Sequence, residues 1–320
     1  MKRDFISIDN FTAAELDQTV KLAAQLKKVR KTSHDLRPLV GRSMAMIFEK
    51  PSLRTRVTFE LAMVELGGHA LNLQSVGVQL GERESVPDMA RNLERWVDLV
   101  IARVFKNETI RTLAGNMSVP VINALCDIEH PCQAVADILT VAELSRDRFP
   151  KVKLAYIGDG NNVCHSLILI CSALGLDMAV GVPEGYEPLP EFVERSGELA
   201  ASGKGSVTVT HDPVEAVEGA DFVYTDVWAS MGQESESLKR RRDFQAYQIN
   251  SELVSHASSD YYLLHCLPAH RGEEITDEVI DGPHSKVFDQ AENRLHAQKA
   301  IILKLLAPEI AGSQTESDNK

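Results

Sequence analysis

The segment FEKPSLRTRVTFE, residues 48–60, decides how the rest of the sequence is interpreted. An apolar run leads into a Pro-Ser turn, two arginines flank a threonine, and an amphipathic run follows. This pattern predicts a strand, a short loop and the start of a helix. Such a loop offers backbone N–H groups, the positive end of a helix dipole, hydroxyls and guanidinium groups, all of which bind oxyanions. Ser52, Arg54, Thr55 and Arg56 fall close together in it. Alone, the segment fits an anion site and a solvated helix start about equally well.

Outward from this segment, strand-like and helix-like patterns alternate along the chain. Short apolar runs typical of buried parallel strands occur at residues 42–48, 69–74, 99–103, 119–125, 154–158, 178–182, 207–212, 221–228 and 261–265, with 287–289 as a further candidate. Amphipathic runs separate most of them. The alternation predicts an α/β fold with two doubly wound parallel-sheet domains.

The charged, proline-containing segment RDRFPKVK, residues 146–153, marks the predicted domain boundary. We expect a first domain at residues 1–146 and a second at 147–290. A long amphipathic helix at 291–310 is predicted to pack back on the first domain. The polar tail, residues 311–320, is predicted to be flexible.

Length and composition fit this organisation and limit the class of partner. A chain of 320 residues is too long for a typical single core, so two domains are expected. The hydrophobic fraction of 44% and the charged fraction of 25% are ordinary for a globular protein. The net charge of -12 argues against a general nucleic-acid or anionic-membrane surface. Any anion site is therefore a local basic pocket.

Cysteine usage and the apolar runs predict a cytoplasmic location. The five cysteines form no CxxC pair, which favours free thiols in a reducing compartment over disulfides or a zinc site. The N-terminus has no apolar or arginine-rich leader. The longest apolar run, residues 167–176, is too short to span a bilayer.

Chemically active residues recur where the predicted strands end. Ligands of open parallel sheets bind beyond the carboxyl ends of the strands. The residues at such positions are Arg103, His130, Gln133, Asn161, Asn162, Asp226, Trp228, Ser230, Met231, His265, Cys266 and His270. Their coincidence predicts an active site in the cleft between the two domains. The arginines and His130 of the first domain suit a phosphate, whereas Asp226 of the second suits an amine. The residues thus favour a group transferase with a phosphorylated donor and an amine acceptor.

Two competing motifs are weak or missing. Gly158-Asp159-Gly160 stands between a strand and a helix, as in a dinucleotide fingerprint, but the third glycine is missing. An NAD-binding oxidoreductase therefore stays a minor alternative. No GxxxxGK[ST] motif occurs, and the histidines lack metal-ligand spacing, so neither a cofactor nor a metal is expected.

Four motifs in order, SLRTR, HPCQ, DVWASMGQE and HCLPAH, make the chain resemble the transcarbamylase family, and within it the ornithine carbamoyltransferases, over nearly the whole length. The first two motifs also fit the aspartate branch, while the last two point to ornithine. The resemblance implies transfer of a carbamoyl group from carbamoyl phosphate to L-ornithine, giving citrulline and phosphate, as in arginine biosynthesis or the urea cycle. It also implies a homotrimer, or a multiple of it, with active sites at subunit interfaces. Putrescine or aspartate as acceptor stays an alternative, and the biosynthetic or catabolic role stays open.

The resemblance also implies residue roles, with most of the carbamoyl phosphate-binding positions in the first domain and the ornithine-binding positions in the second. The residues that match carbamoyl phosphate-binding positions are Ser52, Leu53, Arg54, Thr55, Gln79, Arg103, His130, Gln133, Cys266, Leu267 and Arg294. Those that match ornithine-binding positions are Asn162, Asp226, Ser230 and Met231. Arg103, His130, Cys266 and Asp226 are the expected catalytic residues, and Arg56 is expected to be structural. Leu53 departs from the threonine that is common in the family. We expect a small effect, because anion loops bind mainly through backbone N–H groups.

Overall fold

The structure is a computed structural model that describes residues 2–30, 37–73, 84–200, 205–229 and 234–311. The chain separates into two units. Unit 1 comprises Met1–Leu139 and Glu292–Lys320, and unit 2 comprises Thr140–Ala291. Within the described ranges, no helix combines the length and the apolar character needed to cross a membrane. Apart from Ala311, the predicted flexible tail lies outside the described residues.

Unit 1 is built on a four-stranded sheet in which every pairing is parallel. Its strands are β1 (Ser43–Phe48), β2 (His69–Asn72), β3 (Leu99–Arg103) and β4 (Val121–Leu125), in the order β2-β1-β3-β4. Helix α1 (Ala13–Arg30) precedes the first strand. The strands are connected by α2 (Leu53–Glu65), α3 (Val86–Leu93) and α4 (Asn107–Gly115), and α5 (Pro131–Ser145) leads into unit 2. β3 is buried along its whole length, its last residue Arg103 included, and its apolar run at residues 99–102 is typical of a central parallel strand.

Unit 2 is built on a five-stranded parallel sheet. Its strands are β5 (Lys153–Ile157), β6 (Asp177–Gly181), β7 (Val207–Thr210), β8 (Phe222–Thr225) and β9 (Tyr262–His265), in the order β7-β6-β5-β8-β9. The helices are α6 (Asn162–Leu174), α7 (Pro190–Ala200), α8 (Pro213–Val217), α9 (Ser237–Asp243), α10 (Ser251–Val254) and α11 (Asp277–Ile280), and α12 (Val287–Leu306) runs from unit 2 into unit 1. The predicted α/β fold with two parallel-sheet domains is confirmed. The predicted placement of an active site in a cleft between the domains stays a prediction.

Each sheet contains one point at which the strand order reverses direction. In unit 1 this point lies between β1 and β3, where Phe48 is the register partner of Arg103. In unit 2 it lies between β5 and β8, where Ile157 is the register partner of Thr225. Loops leave the carboxyl ends of neighbouring strands in opposite directions at such a point and leave a crevice that ligands occupy. The segments that begin at Glu49 and at Gly158 therefore each start beside such a crevice.

Hydrogen bonds of side chains explain where helix α1 starts. Thr12 and Glu15 form a capping box: Glu15 N–H donates to Thr12 Oγ1 over 3.3 Å, and Thr12 N–H donates to Glu15 Oε2 over 2.9 Å. One strand prediction was wrong. Residues 287–289 are not a strand but the first turn of α12. A short run with one β-branched residue does not distinguish a strand from a buried helix start.

Candidate active site

Helix α2 begins directly after β1, and its first turn is organised for an anion. Ser52 is the N-cap, and its Oγ accepts from Thr55 N–H over 3.3 Å. The first N–H groups of a helix have no acceptor within the helix, and the helix dipole makes this end positive. The turn therefore combines N–H donors with a positive field, as the sequence predicted. The turn is placed at the switch point of the unit 1 sheet because β1 is a central strand.

The hydroxyl of Thr55 collects donors from three other parts of unit 1. Arg294 from α12 donates through Nη2 to Thr55 Oγ1 over 2.8 Å. Arg103, the last residue of β3, lies with Nη1 at 3.5 Å from the same oxygen. Ser52 Oγ lies at 3.0 Å from it. Thr55 itself has no solvent exposure. We call Ser52, Arg54, Thr55, Arg103, His130 and Arg294 the anion cluster.

His130 is neutral within this cluster. Burial lowers its pKa well below the usual value, and the positive charges of Arg294, Arg103 and Arg54 lower it further. A neutral imidazole carries one N–H donor and adds no positive charge. Its place just before α5 follows from the strand end at β4, as the sequence predicted.

Gln133 presents an oriented acceptor on the first turn of α5. Its Nε2 donates to Asp137 Oδ1 over 2.7 Å, which fixes the orientation of the amide. Its Oε1 is buried and has no hydrogen-bond partner among the described residues. The amide oxygen is therefore available to an N–H group, such as that of a carbamoyl group. The resemblance places Gln133 among the residues around the carbonyl oxygen and phosphate of the donor.

Leu53 and Arg56 lie on the outside of the same turn. The Leu53 side chain is 77% exposed, so the side chain does not fill the anion cluster. Its place as the first residue of α2 leaves its backbone N–H as the group that can contribute. Arg56 is half exposed and lies 4.0 Å from Glu60, a surface ion pair that contributes little.

Lys50 is a cation beside the anion cluster that the sequence analysis did not assign. It is 8% exposed, and its Nζ lies 4.6 Å from the centre of the Phe105 ring. Burial lowers its pKa, and the charge of Arg103 lowers it further. Lys50 stands two residues before the first residue of the SLRTR loop. Surface lysines are common at such positions, so the sequence did not single it out.

Unit 2 holds a second cluster, centred on a carboxylate. Asp226 follows β8 and is 7% exposed. Cys266, which follows the neighbouring strand β9, donates through Sγ to Asp226 Oδ1 over 2.8 Å. Asn161, which follows the other neighbouring strand β5, donates through Nδ2 to Asp226 Oδ2 over 2.9 Å. Both contacts exist because β5, β8 and β9 are adjacent in the sheet. We call Asn161, Asp226 and Cys266 the Asp226 cluster.

The asparagine that hydrogen-bonds Asp226 is Asn161, a residue to which the resemblance assigns no role. Asn161 is the N-cap of α6, and its Oδ1 accepts from Val163 N–H over 2.9 Å while its Nδ2 reaches Asp226. Asn162 is the first residue of α6 and is half-buried. Three other assigned residues, Gln79, Ser230 and Met231, lie outside the described residues.

The structure explains the Gly158-Asp159-Gly160 turn without a dinucleotide. A Cβ atom on Gly160 would overlap the backbone of Glu187 and Pro188, and Gly160 N–H donates to Tyr186 O over 2.8 Å. Asp159 is paired with Arg240 over 2.8 Å. The glycine is therefore required by close packing of the chain on itself, not by the approach of a pyrophosphate.

Asp226, His265 and Cys266 offer ligand atoms within 4.8 Å of one another, which raises the question of a metal. Both ring nitrogens of His265 are hydrogen-bonded, Nδ1 to Leu267 N–H and Nε2 to Glu274 Oε1. The triad thus offers a metal at most two ligands, fewer than the three or four that protein zinc sites use.

Comparison with known proteins agrees with this geometry. Residues 3–143 match the family model for the aspartate/ornithine carbamoyltransferase carbamoyl-P binding domain, and residues 150–305 match that for the Asp/Orn binding domain. The chain is 51% identical over 304 residues to an ornithine carbamoyltransferase of Pyrococcus horikoshii, covering 95% of this chain and 96% of the relative. It is 51% identical to that of Geobacillus stearothermophilus, covering 95% and 97%.

Solved structures give the same result. The ornithine carbamoyltransferase of Pyrococcus furiosus superposes with a TM-score of 0.90 at 50% identity, covering 94% of this chain and 96% of that one. The anabolic enzyme of Campylobacter jejuni gives a TM-score of 0.90 at 38% identity, covering 95% and 99%. The motifs, the two sheets and these similarities agree, and the chain belongs to the aspartate/ornithine carbamoyltransferase family.

Proposed function

We infer that this protein transfers the carbamoyl group of carbamoyl phosphate to the side-chain amine of L-ornithine, giving L-citrulline and phosphate, a step of arginine biosynthesis. The observation that carries this conclusion is the convergence of Arg294, Arg103 and Ser52 on Thr55 Oγ1 at the start of α2. The chain in which these groups converge is about 50% identical in sequence, over nearly its full length, to proteins named ornithine carbamoyltransferase.

The anion cluster supplies the donor subsite. The phosphate of carbamoyl phosphate is bound by N–H groups of the first turn of α2, including that of Leu53, and by the guanidinium groups of Arg54 and Arg294. Arg103 and His130 donate to the carbonyl oxygen, and Gln133 Oε1 accepts from the carbamoyl amide. Residues 1–146, with the helix at 291–310, form the carbamoyl phosphate domain. The description of the family model that matches residues 3–143 supports this assignment.

The Asp226 cluster supplies the acceptor subsite. The carboxylate is held from two sides by Asn161 and Cys266, so its charge has a fixed position for an ammonium group of ornithine. Asn162, Ser230 and Met231 complete the subsite. Residues 147–290 form the ornithine domain, which the description of the second family model supports.

The reaction proceeds by direct attack. The uncharged side-chain amine of ornithine forms a C–N bond to the carbonyl carbon, and a tetrahedral intermediate develops negative charge on the carbonyl oxygen. Arg103, neutral His130 and the Thr55 hydroxyl stabilise that charge, and the loss of one such donor costs roughly 3 to 4 kcal/mol. The C–O bond to phosphate then breaks, and the leaving phosphate takes the proton of the amine. Cys266 orients the acceptor and forms no covalent bond, since the amine attacks without help from a nucleophile.

Self-association fits an exposed apolar stripe on helix α2. Leu53, Val57, Leu61 and Val64 lie at helical spacing and are between 39% and 77% exposed. The stripe begins at the anion cluster, so a second copy seated on it would lie beside the donor subsite. We propose a homotrimer, as the resemblance implies. Sedimentation equilibrium of the native protein and of Leu61→Asp tests this, and a monomeric native protein at micromolar concentration contradicts it.

A cytoplasmic location is proposed on the state of the cysteines. Cys126, Cys132, Cys164 and Cys171 are buried and form no disulfide. Free thiols persist in the reducing cytoplasm. Fractionation of cells that produce the full chain tests the location, and recovery of the activity outside the cytoplasmic fraction contradicts it.

The function is tested by product analysis. Purified protein with carbamoyl phosphate and ornithine is expected to release citrulline and phosphate in equal amounts, and no absorbance change of a nicotinamide cofactor is expected with either substrate. Arg103→Ala is expected to lower turnover at saturating substrates as well as donor affinity. Unchanged turnover of that variant would remove Arg103 from the stabilisation of the oxyanion.

A further inference from the structure

A buried histidine with a defined hydrogen-bond pattern stands beside the Asp226 cluster. His265 is the last residue of β9 and is 1% exposed. Its Nε2 lies 3.1 Å from Oε1 of Glu274, whose side chain is fully buried. Its Nδ1 accepts from Leu267 N–H over 2.9 Å. The roles proposed above use neither His265 nor Glu274.

These two contacts determine the tautomer of the imidazole. A backbone N–H can donate only to an unprotonated ring nitrogen, so Nδ1 carries a lone pair and Nε2 carries the hydrogen. Nε2–H then donates to Glu274. The same oxygen of Glu274 also accepts from the backbone N–H of His270. Glu274 is therefore hydrogen-bonded to both His265 and His270. The carboxylate, the imidazole and the Leu267 N–H thus form one continuous series.

The series ends at a strained residue. Leu267 has a φ of +58°, a conformation in the left-handed region that a bulky L-residue rarely adopts. Such a conformation is unfavourable for a leucine and persists only where surrounding contacts hold it. The hydrogen bond from Leu267 N–H to His265 Nδ1 is one such contact.

The strained turn directly follows Cys266, whose Sγ donates to Asp226 Oδ1. We propose that His265, oriented by Glu274, is a positioning residue of the acceptor subsite: through Nδ1 it holds the turn at Leu267 and thereby sets how Cys266 meets Asp226. The proposal rests on the assignment of the Asp226 cluster to ornithine.

Two substitutions at His265 separate its two hydrogen bonds. In His265→Asn the amide oxygen stands the same number of bonds from Cα as Nδ1, so the acceptor for Leu267 N–H is kept. In His265→Gln the amide nitrogen stands where Nε2 stood, so the donor to Glu274 is kept and the acceptor is lost. Both variants are neutral and polar, which makes them matched tests of one bond each.

The expected result is a difference between the two variants in the kinetics for ornithine. His265→Gln should lower kcat/KM for ornithine by roughly 10- to 100-fold, the range found when partners that orient a site residue are removed. His265→Asn should retain about tenfold more activity than His265→Gln. His284 is the control, because it hydrogen-bonds the opposite end of β9 from His265. Its Nδ1 lies 2.8 Å from the backbone oxygen of Tyr261, the residue before the first residue of β9. His284→Gln should be unchanged in kcat/KM.

A thermal melt of each variant accompanies the kinetics, which are measured well below the lowest midpoint. Equal kcat/KM in the Asn and Gln variants, or an Asn variant that is the weaker of the two, would overturn the proposal. The proposal would also be overturned if the decreases in kcat/KM matched the decreases in melting temperature and did not depend on which hydrogen bond the variant retains. Native protein and His284→Gln must both form citrulline. Their failure would contradict the proposed function itself, and is therefore distinguishable from a failure of the role of His265.

Discussion

Replacing Thr55 with valine removes one hydroxyl from the centre of the anion cluster and keeps the volume of the side chain. Thr55 Oγ1 accepts from Arg294 over 2.8 Å and lies 3.5 Å from Arg103 Nη1. In the variant these guanidinium groups lose a common acceptor that aligns them, and the oxyanion loses a donor. We therefore expect both donor affinity and turnover to fall.

The magnitude follows from the loss of one donor to a developing oxyanion, about 2.7 kcal/mol at the low end of measured values. At about 1.4 kcal/mol for each factor of ten, this corresponds to a decrease of about 100-fold in kcat/KM for carbamoyl phosphate. KM for ornithine should change by less than about threefold, because Asp226, Asn161 and Cys266 belong to unit 2 and are not altered.

The matched control is Thr58→Val, one turn further along α2. Thr58 Oγ1 donates to Arg54 O over 2.6 Å, a bond within the helix that involves no guanidinium group. Initial rates of citrulline formation over a series of carbamoyl phosphate concentrations compare the variants, and Thr58→Val should stay within about twofold of the native protein. If Thr55→Val and Thr58→Val have the same kcat/KM, the reasoning about the anion cluster is refuted.

Three further outcomes follow from individual contacts. Cys266→Ser should keep most of the turnover, because a serine hydroxyl can still donate to Asp226. Cys266→Ala should raise KM for ornithine about tenfold, the effect of losing about 1.4 kcal/mol of hydrogen bonding. A carbamoyl thioester trapped on Cys266 would contradict the orienting role of this residue. Leu53→Thr should change KM for carbamoyl phosphate by less than about threefold, since the exposed side chain is not part of the cluster, and a larger decrease in KM would assign a role to the hydroxyl. The pKa of Glu15 is lowered to about 2 by its hydrogen bond from Arg3 and by those from Thr12. Because this folded-state pKa is depressed, the stabilisation is complete above pH 4.5 and is lost as the pH falls toward 2. Glu15→Gln should therefore cost about 1 kcal/mol of unfolding free energy at pH 7 and almost nothing near pH 2 in urea titrations; equal costs at both pH values would contradict the assignment.

Much of this arrangement could be predicted because chemically active residues follow strands in a parallel sheet. Arg103 was expected at a strand end, and the apolar run before it identified the strand. What the sequence did not contain is the order β2-β1-β3-β4, which makes Arg103 the neighbour of Phe48 and places it beside the start of α2. The contact of Arg294 with Thr55 joins residues 239 positions apart, and only the resemblance pointed to it.

Local geometry limited the prediction elsewhere. The hydrogen bond from Asn161 to Asp226 depends on the place of Asn161 as the N-cap of α6, where its amide reaches back across the end of the sheet. Helix boundaries read from sequence are uncertain by one or two residues, so the sequence did not identify Asn161 as the N-cap. The buried series from Glu274 through His265 to Leu267 also left no pattern in the sequence, because it depends on the path of a loop.

The central claim is that an anion cluster specific for carbamoyl phosphate and an Asp226 cluster specific for ornithine serve one transfer reaction. The most direct measurement is a panel of acceptors in a single assay with labelled carbamoyl phosphate, in which ornithine, putrescine and aspartate are compared by kcat/KM for formation of the carbamoylated product. We predict that ornithine exceeds both others by at least about 100-fold, as expected when a charged partner is fixed in a buried subsite. A preference for aspartate or putrescine, or no carbamoylated product with any of the three, would contradict the account.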